Sequence, residues 1–293
     1  MTQLLILGGS GILGTEVIRS AKLNGFDFLA PTSRELDVRE KSAVEGFVKQ
    51  HKPMWIINCS AWTNVEGAEE LQEEAFALNA TAVKNISEVA SSNQSHLIHI
   101  STDYVFNGTK GTPYVEEDLL DAINQYGKSK VAGESAISDS GLSSYYIVRT
   151  SWLYGVIGKN FVKTMARKAL NAESVGVVED QFGSPTSARS LAEGLIEIVK
   201  VNPESGIYHF SNKGKCSWLE FAREVYRLCG SDGQLVKPIK TADLALKAKR
   251  PVNSELDTAK WDCSGLSKLT PWQEVLSDLM PQILADMKME NRQ

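Results

Sequence analysis

The chain opens with Leu4-Leu5-Ile6-Leu7, runs into Gly8-Gly9-Ser10-Gly11-Ile12-Leu13-Gly14, and continues as a helical pattern from Thr15 to Leu23. A short apolar run bounded by glycine predicts a parallel strand buried on both faces. The glycines at 8, 11 and 14 have the spacing G-x-x-G-x-x-G. Glycine permits positive φ and lacks the Cβ that would block a phosphate. The following helix offers free N–H groups and the positive end of its dipole to an anion. A glycine turn alone is weak evidence, since ordinary tight turns use glycine too. The strand–glycine–helix context raises it to an expected dinucleotide site, with residues 8 to 14 as the cradle.

Phe26 to Ala30 reads as the second strand. In a dinucleotide fold this strand usually ends in an acid that binds the ribose 2′-hydroxyl. Here the chain reads Pro31-Thr32-Ser33-Arg34. A hydroxyl and a guanidinium suit a 2′-phosphate better than a diol, which favours NADPH over NADH. The plain alternative for Arg34 is a solvated loop charge. Leu36-Asp37-Val38 follows, and Asp37 has two readings: it reaches the adenine amino group, or it caps a helix from Glu40 to Lys49. A third strand over Trp55 to Cys59 ends in Ser60-Ala61-Trp62-Thr63, small residues where a cofactor would cross the carboxyl edge of the sheet. Trp62 either lines that site or covers the core. Asn79 falls in an apolar helical stretch, so its amide must be hydrogen-bonded, and a structural role is expected.

Tyr126-Gly127-Lys128-Ser129-Lys130 sets a phenol and an ammonium four residues apart, on one face if the segment is helical. A phenol ordinarily titrates near pH ~10. A nearby positive charge lowers that value, and a tyrosine so tuned exchanges a proton with an alcohol or carbonyl oxygen near neutrality. The pattern is common, and a partly buried Tyr beside a solvated Lys is its ordinary explanation. It gains weight from the glycine turn and from Ser101-Thr102-Asp103, which leave a strand over His96 to Ile100. Thr102 could bond a carbonyl oxygen, and Asp103 offers a carboxyl group to a substrate.

Beyond a strand at Tyr145 to Val148 the strand–helix alternation loosens. Asn160 to Leu170 is amphipathic, with Phe161, Met165 and Ala169 as a core stripe. Ala188 to Val201 is a clear helix, Ser217 and Glu220 form a capping box, and Leu269 to Met287 reads as the last helix. The net charge of −5, without a basic stripe, argues against nucleic acid as the main partner. Four Cys without C-x-x-C spacing and four His without H-x-x-x-H spacing make zinc unexpected, and this Cys usage suits a reducing cytoplasm. No apolar run approaches the ~20 residues of a membrane span. The segment from Met1 reads as a strand and not as a signal peptide, and the polar tail after Met287 is expected to fray.

The motifs together resemble the extended short-chain dehydrogenase/reductases and, within them, the dTDP-4-dehydrorhamnose reductases. The resemblance runs from about Leu4 to Trp272, on the glycine turn, Ser101 to Phe106, Tyr126 to Lys130, Arg149-Thr150-Ser151-Trp152, Asn160-Phe161-Val162, Asp180 to Thr186 and Arg250-Pro251-Val252-Asn253-Ser254. It implies a Rossmann-type doubly wound parallel sheet with a smaller C-terminal lobe. Residues 1–150, completed by the 186–201 helix and a nearby strand, would hold NADP, and 151–293 would be mainly the substrate lobe. It implies NADPH-dependent reduction of the C4 ketone of a dTDP-6-deoxy-4-hexulose in nucleotide-sugar biosynthesis. Tyr126 would be the general acid, Lys130 its tuner and a ribose ligand, and Thr102 the hydroxyl of the triad. Asp103 and Trp152 would face the sugar and Arg250 the diphosphate, where a surface charge is the plain alternative. Ile12 stands where such reductases often carry Gln, and Ala122 replaces a proline common before the Tyr, which would loosen that loop. Some relatives dimerise with a divalent cation; a homodimer is compatible with the resemblance, but the acidic residues show no metal spacing. Two other readings stay open. One is another sugar-nucleotide enzyme, although Tyr104 stands where a dehydratase would carry Glu. The other is a non-catalytic NADP-binding regulator, like the subunit of methionine adenosyltransferase that shares this fold.

Overall fold

The computed structural model describes residues 3–290. Residues 1 and 2 of the expected first strand lie outside the described residues, as does the end of the polar tail. The chain alternates strand and helix through β1 (Leu4–Leu7), α1 (Ile12–Leu23), β2 (Phe28–Leu29), α2 (Lys41–His51) and β3 (Trp55–Asn58). Short helices α3 (Val65–Glu70) and α4 (Gln72–Phe76) and a π turn at Ala77–Thr81 lead into α5 (Ala82–Asn93), β4 (His96–Thr102), α6 (Gln125–Ser138) and β5 (Tyr145–Thr150). Then follow β6 (Leu153–Tyr154), α7 (Phe161–Leu170), β7 (Val175–Val178), β8 (Phe182–Gly183), β9 (Thr186–Ser187), α8 (Ala188–Val201) and β10 (Gly206–His209). The chain ends with β11 (Cys216–Ser217), α9 (Trp218–Leu228), β12 (Val236–Ile239), α10 (Ala259–Cys263) and α11 (Trp272–Glu290).

Six strands form one parallel sheet in the order β10-β5-β4-β3-β1-β2. Successive strand residues point to opposite faces. Leu4 and Ile6 therefore pack with Val17 and Ala21 of α1 and with Leu191 and Leu195 of α8. Leu5 and Leu7 pack with Val44 and Val48 of α2 and Val83 and Ile86 of α5. Burial on both faces is what makes β1 an unbroken apolar run, and the sheet is doubly wound as expected. A separate core gathers Val162 and Met165 of α7, Phe221 and Val225 of α9, and Leu276 and Ile283 of α11. The expected stripe on α7 lies there, with Phe161 packed against it.

Several expected boundaries move for identifiable reasons. β2 shrinks to Phe28–Leu29 because it is an edge strand paired with β1 alone. Asp37 does not cap α2: it accepts from the Arg39 backbone N–H and from Nε and Nη2 of its guanidinium, and Glu40 occupies the N-cap without a side-chain bond. α11 starts at Trp272 because Lys213 bonds both Thr270 and Trp272, holding the preceding residues in an extended bridge. It stays helical past Met287 to Glu290, where fraying was expected.

A buried charge cluster ties α6 to the sheet. Arg149, 1% exposed, donates through Nη2 to Glu134 Oε2 at 2.7 Å and through Nε to both carboxylate oxygens at 3.0 and 3.2 Å. Its Nη1 donates to the Glu116 carbonyl at 3.1 Å, and the guanidinium lies over the Phe106 ring. His209 Nδ1 faces the carbonyls of Tyr114 and Asp257, so Nδ1 carries the proton and Nε2 accepts from Arg149. Burial and the adjacent guanidinium push the His209 pKa down to about 3, which keeps the ring neutral. Removing one member of a buried pair strands the other charge, at a cost of about 3–5 kcal/mol. Glu134→Gln is therefore expected to lower the urea unfolding midpoint strongly, with a stability loss of that order in equilibrium denaturation.

Candidate active site

A cleft of about 450 Å³ opens at the carboxyl ends of β1, β3, β4 and β5. Ligands in open α/β sheets bind at this edge, where the strand order reverses. Gly8 adopts φ +76°, and a Cβ there would meet the Ser60 nitrogen at 2.6 Å, so the turn presses against the end of β3. A Cβ on Gly14 would lie 2.1 Å from the Gly8 carbonyl oxygen. No side chain caps the N-terminus of α1, and no acidic residue stands in its first turn. Residues 11 to 14 line the cleft; the Gly11 N–H donates to the Gly8 carbonyl, and the N–H groups of residues 12 to 14 are the uncapped ones. On the opposite wall the Asp103 Oδ2 and Thr150 Oγ1 atoms are buried without a protein partner. Glycine cradle, uncapped helix and orphaned polar atoms fit a bound dinucleotide.

Tyr126 and Lys130 sit on one face of α6 and line the cleft together with Thr102. Asn124 caps the helix by accepting the Gly127 N–H at 2.7 Å, and its amide donates to the Lys249 carbonyl at 2.7 Å. The loop before it is tied, too, since the Asp121 N–H bonds the Val105 carbonyl, so Ala122 does not leave it loose. Gly127 allows α6 to approach the Tyr104 carbonyl, where a Cβ would meet the oxygen at 2.2 Å. Ser129 donates to the Tyr126 carbonyl and accepts from Asn79 Nδ2. Asn79 also brackets the Trp62 backbone, accepting its N–H at 2.8 Å and donating to its carbonyl at 3.0 Å. Its expected structural role is the one it has.

The expected tuning of Tyr126 by Lys130 is not what the geometry gives. Burial pushes the Tyr126 pKa up to about 12, the neighbouring Thr102 hydroxyl opposes the rise, and the Asp103 charge adds to it. Lys130 Nζ instead donates to the Ile100 carbonyl at 2.7 Å and lies 3.2 Å from His99 Nε2. Burial lowers the Lys130 pKa to about 8, partly offset by Glu134. Spacing put both residues on one face; it did not determine where a long side chain would turn.

Asp103 is 2% exposed and accepts from the Thr102 hydroxyl at 3.0 Å. Burial raises its pKa to about 6, against the opposing influence of the nearby Ser254 and Thr102 hydroxyls. Trp152 also lines the cleft, and its φ of +47° is strained for a bulky residue. Its indole stacks on Trp218 at 3.8 Å and lies over Gly183. Arg250 is ion-paired with Glu66 at 2.6 Å and borders a neighbouring apolar pocket shared with Tyr104 and Trp218. Ala61 and Thr63 line the main cleft, while Trp62 is half-buried at its lip and donates to the Asn64 carbonyl. Ser33 and Arg34 are exposed just beyond β2, outside the cleft, and Val38 is buried in the core with Asp37 beside it. The sequence reading missed His99 and Asn58, which lie behind Lys130; the only signal was a polar residue inside each apolar strand. Among the described residues, no group of three or more His, Cys, Asp or Glu is placed to hold a metal ion, and no helix is long and apolar enough to cross a membrane.

A doubly wound parallel sheet with a glycine cradle and a Thr–Tyr–Lys set at its carboxyl edge defines a Rossmann-type protein of the short-chain dehydrogenase/reductase class. The chain belongs to the RmlD substrate binding domain family, which matches residues 1–285. It is 36% identical over 283 residues to a dTDP-4-dehydrorhamnose reductase of Streptomyces griseus, covering 95% of this chain and 93% of that one. It is 35% identical to a dTDP-4-keto-6-deoxy-D-glucose reductase of Streptomyces niveus, covering 96% and 98%. The crystal structure of dTDP-4-dehydrorhamnose reductase from Bacillus anthracis str. Ames in complex with NADP superposes with a TM-score of 0.92 at 34% identity, covering 96% of this chain and 99% of that one.

The raised Asp103 pKa carries a stability cost with a definite sign. Between its ordinary value of 3.8 and about 6 the folded state holds a proton that the unfolded state has lost, so stability falls as pH rises through that window. Asp103→Asn is expected to remove this slope and to stabilise the protein at pH 7 by up to about 3 kcal/mol. Unfolding midpoints measured from pH 4 to 7 check it.

Proposed function

We propose that this protein reduces the C4 ketone of a dTDP-4-keto-6-deoxyhexose with NADPH, converting dTDP-4-dehydrorhamnose to dTDP-rhamnose. The observation that carries the reading is the Thr102, Tyr126 and Lys130 set beside the glycine cradle, in a chain alike over nearly its whole length to reductases of such sugars. The dinucleotide is assigned to residues 1–150 with α8 and β10, and the sugar nucleotide mainly to the remainder.

The backbone N–H groups of residues 12 to 14 would hold the diphosphate, with Gly11 beside them, and Ser33 and Arg34 would meet the adenosine 2′-phosphate. Bound nicotinamide supplies the hydride for C4. Tyr126 gives its proton to the C4 oxygen as the alkoxide develops. Its high pKa means the phenol is fully protonated at neutral pH, so it stands ready as an acid. Thr102 orients the same oxygen through its hydroxyl. Asp103 and Trp152 face the sugar, and Arg250 leaves Glu66 for the diphosphate of the substrate. A guanidinium pairs bidentately with phosphate oxygens, which is a stronger partner than one carboxylate contact at the surface.

Tyr126→Phe is expected to lower kcat by ~10²–10⁴ while leaving the Kd for NADPH unchanged. NADPH absorbance with the 3,5-epimerised keto sugar, run beside a binding titration, measures both. Turnover without any partner protein also separates this reading from a regulatory one. Arg34→Ala should weaken NADPH binding by roughly tenfold and leave NADH binding unaffected, a contrast that side-by-side titrations of the two cofactors read directly.

A further inference from the structure

Lys130 lies against a hydrogen-bond chain whose direction is set at its far end. The Ser60 backbone N–H can only donate, and it points at Asn58 Oδ1 at 3.0 Å; the Ser60 hydroxyl reaches the same oxygen at 2.5 Å. The Asn58 amide is thereby oriented, with Nδ2 facing His99 Nδ1 at 3.1 Å. An amide nitrogen is a donor, so His99 Nδ1 accepts and a neutral ring carries its proton on Nε2. The ring is neutral because burial holds its pKa well below the usual histidine range. Nε2–H then points at Lys130 Nζ across 3.2 Å. An ammonium has three donors and no acceptor. Two donors would oppose each other there, and both residues are at most 1% exposed, so no solvent relieves the contact.

We infer that His99 is a positioning residue: its Nε2–H donates to Lys130, holding that side chain in the free protein as a neutral amine drawn back onto the Ile100 carbonyl at the cleft wall. Lys130 takes up a proton when it leaves His99 for the cleft. The remaining groups around Lys130 oppose this balance only in part. Glu134, one turn along α6, is engaged by Arg149 of β5. Cys59, at the end of β3, is kept a neutral thiol by burial. Asp103 and Tyr126 lie on the cleft side and act on the turned-out lysine.

The part this plays in catalysis rests on the function proposed above, but the test does not. Nitrogen-15 NMR of histidine-labelled free protein is expected to show His99 protonated on Nε2 and not on Nδ1. Burial and Glu134 alone set Lys130 at about 8, and lysine Cε shifts should show it titrating below that because of the His99 contact. In His99→Gln, where a side-chain carbonyl can accept from an ammonium, the Lys130 midpoint should rise by roughly one unit or more. If that variant does not fold, Asn58→Asp serves: its carboxylate accepts Nδ1–H, reverses the tautomer and frees Nε2 for the ammonium. A wild-type ring protonated on Nδ1, or a Lys130 midpoint unmoved in the variant that folds, overturns the inference. Failure to bind or oxidise NADPH would count against the proposed function and leave this result standing.

Discussion

The contact between Arg149 and Glu134 is the interaction on which the rest of this cleft depends. Two charges removed from water hold together only if every donor and acceptor around them is met. That requirement recruits Ser101, Glu116, Phe106 and His209, from β4, the loop before α6, and β10. The same pair therefore fixes the depth of α6 against β4 and β5. Tyr126 and Lys130 stand two turns and one turn before Glu134 on that helix, so their height over the sheet edge follows from it.

The opposite side of α6 is set by close backbone approach. Gly127 presses on Tyr104, and Gly133 comes so near the Asn79 carbonyl that a Cβ would sit 2.2 Å from the oxygen. The π turn at Ala77–Thr81 is where the preceding helix gives way to this contact, and it turns the Asn79 amide inward. One side chain then serves Trp62 and Ser129, so the loop after β3 and the helix α6 share a single buried amide. The wall that carries the hydroxyl and the wall that carries the glycine turn are thus parts of one rigid frame.

Much of this frame was legible along the chain because its signals are local. The β1 run, the glycine turn and the capping box at Ser217 each lie within a few residues of what they cause. The cleft residues contributed by strand ends were legible for the same reason. What escaped are pairings across the sequence: Glu134 with Arg149, Asn58 with His99, Arg250 with Glu66. Lys130 shows the limit most clearly. Helical spacing set the face of its Cα, while four rotatable bonds and a carbonyl on the neighbouring strand decided where its nitrogen went. Asp37 failed similarly, because a guanidinium two residues away competed better for its carboxylate than the helix N-terminus did.

Trp152 lies over Gly183 with no room between them, since a Cβ on that glycine would stand 2.8 Å from the indole. Its other face is closed by Trp218. The indole is therefore a plate clamped between a bare backbone and a second aromatic ring, and the cleft is open on its edge only. The position of this wall of the cleft is then a dimension set by what is missing at position 183. Each atom added there would drive the plate against Trp218, which makes a residue outside the cleft the calliper for one of its walls.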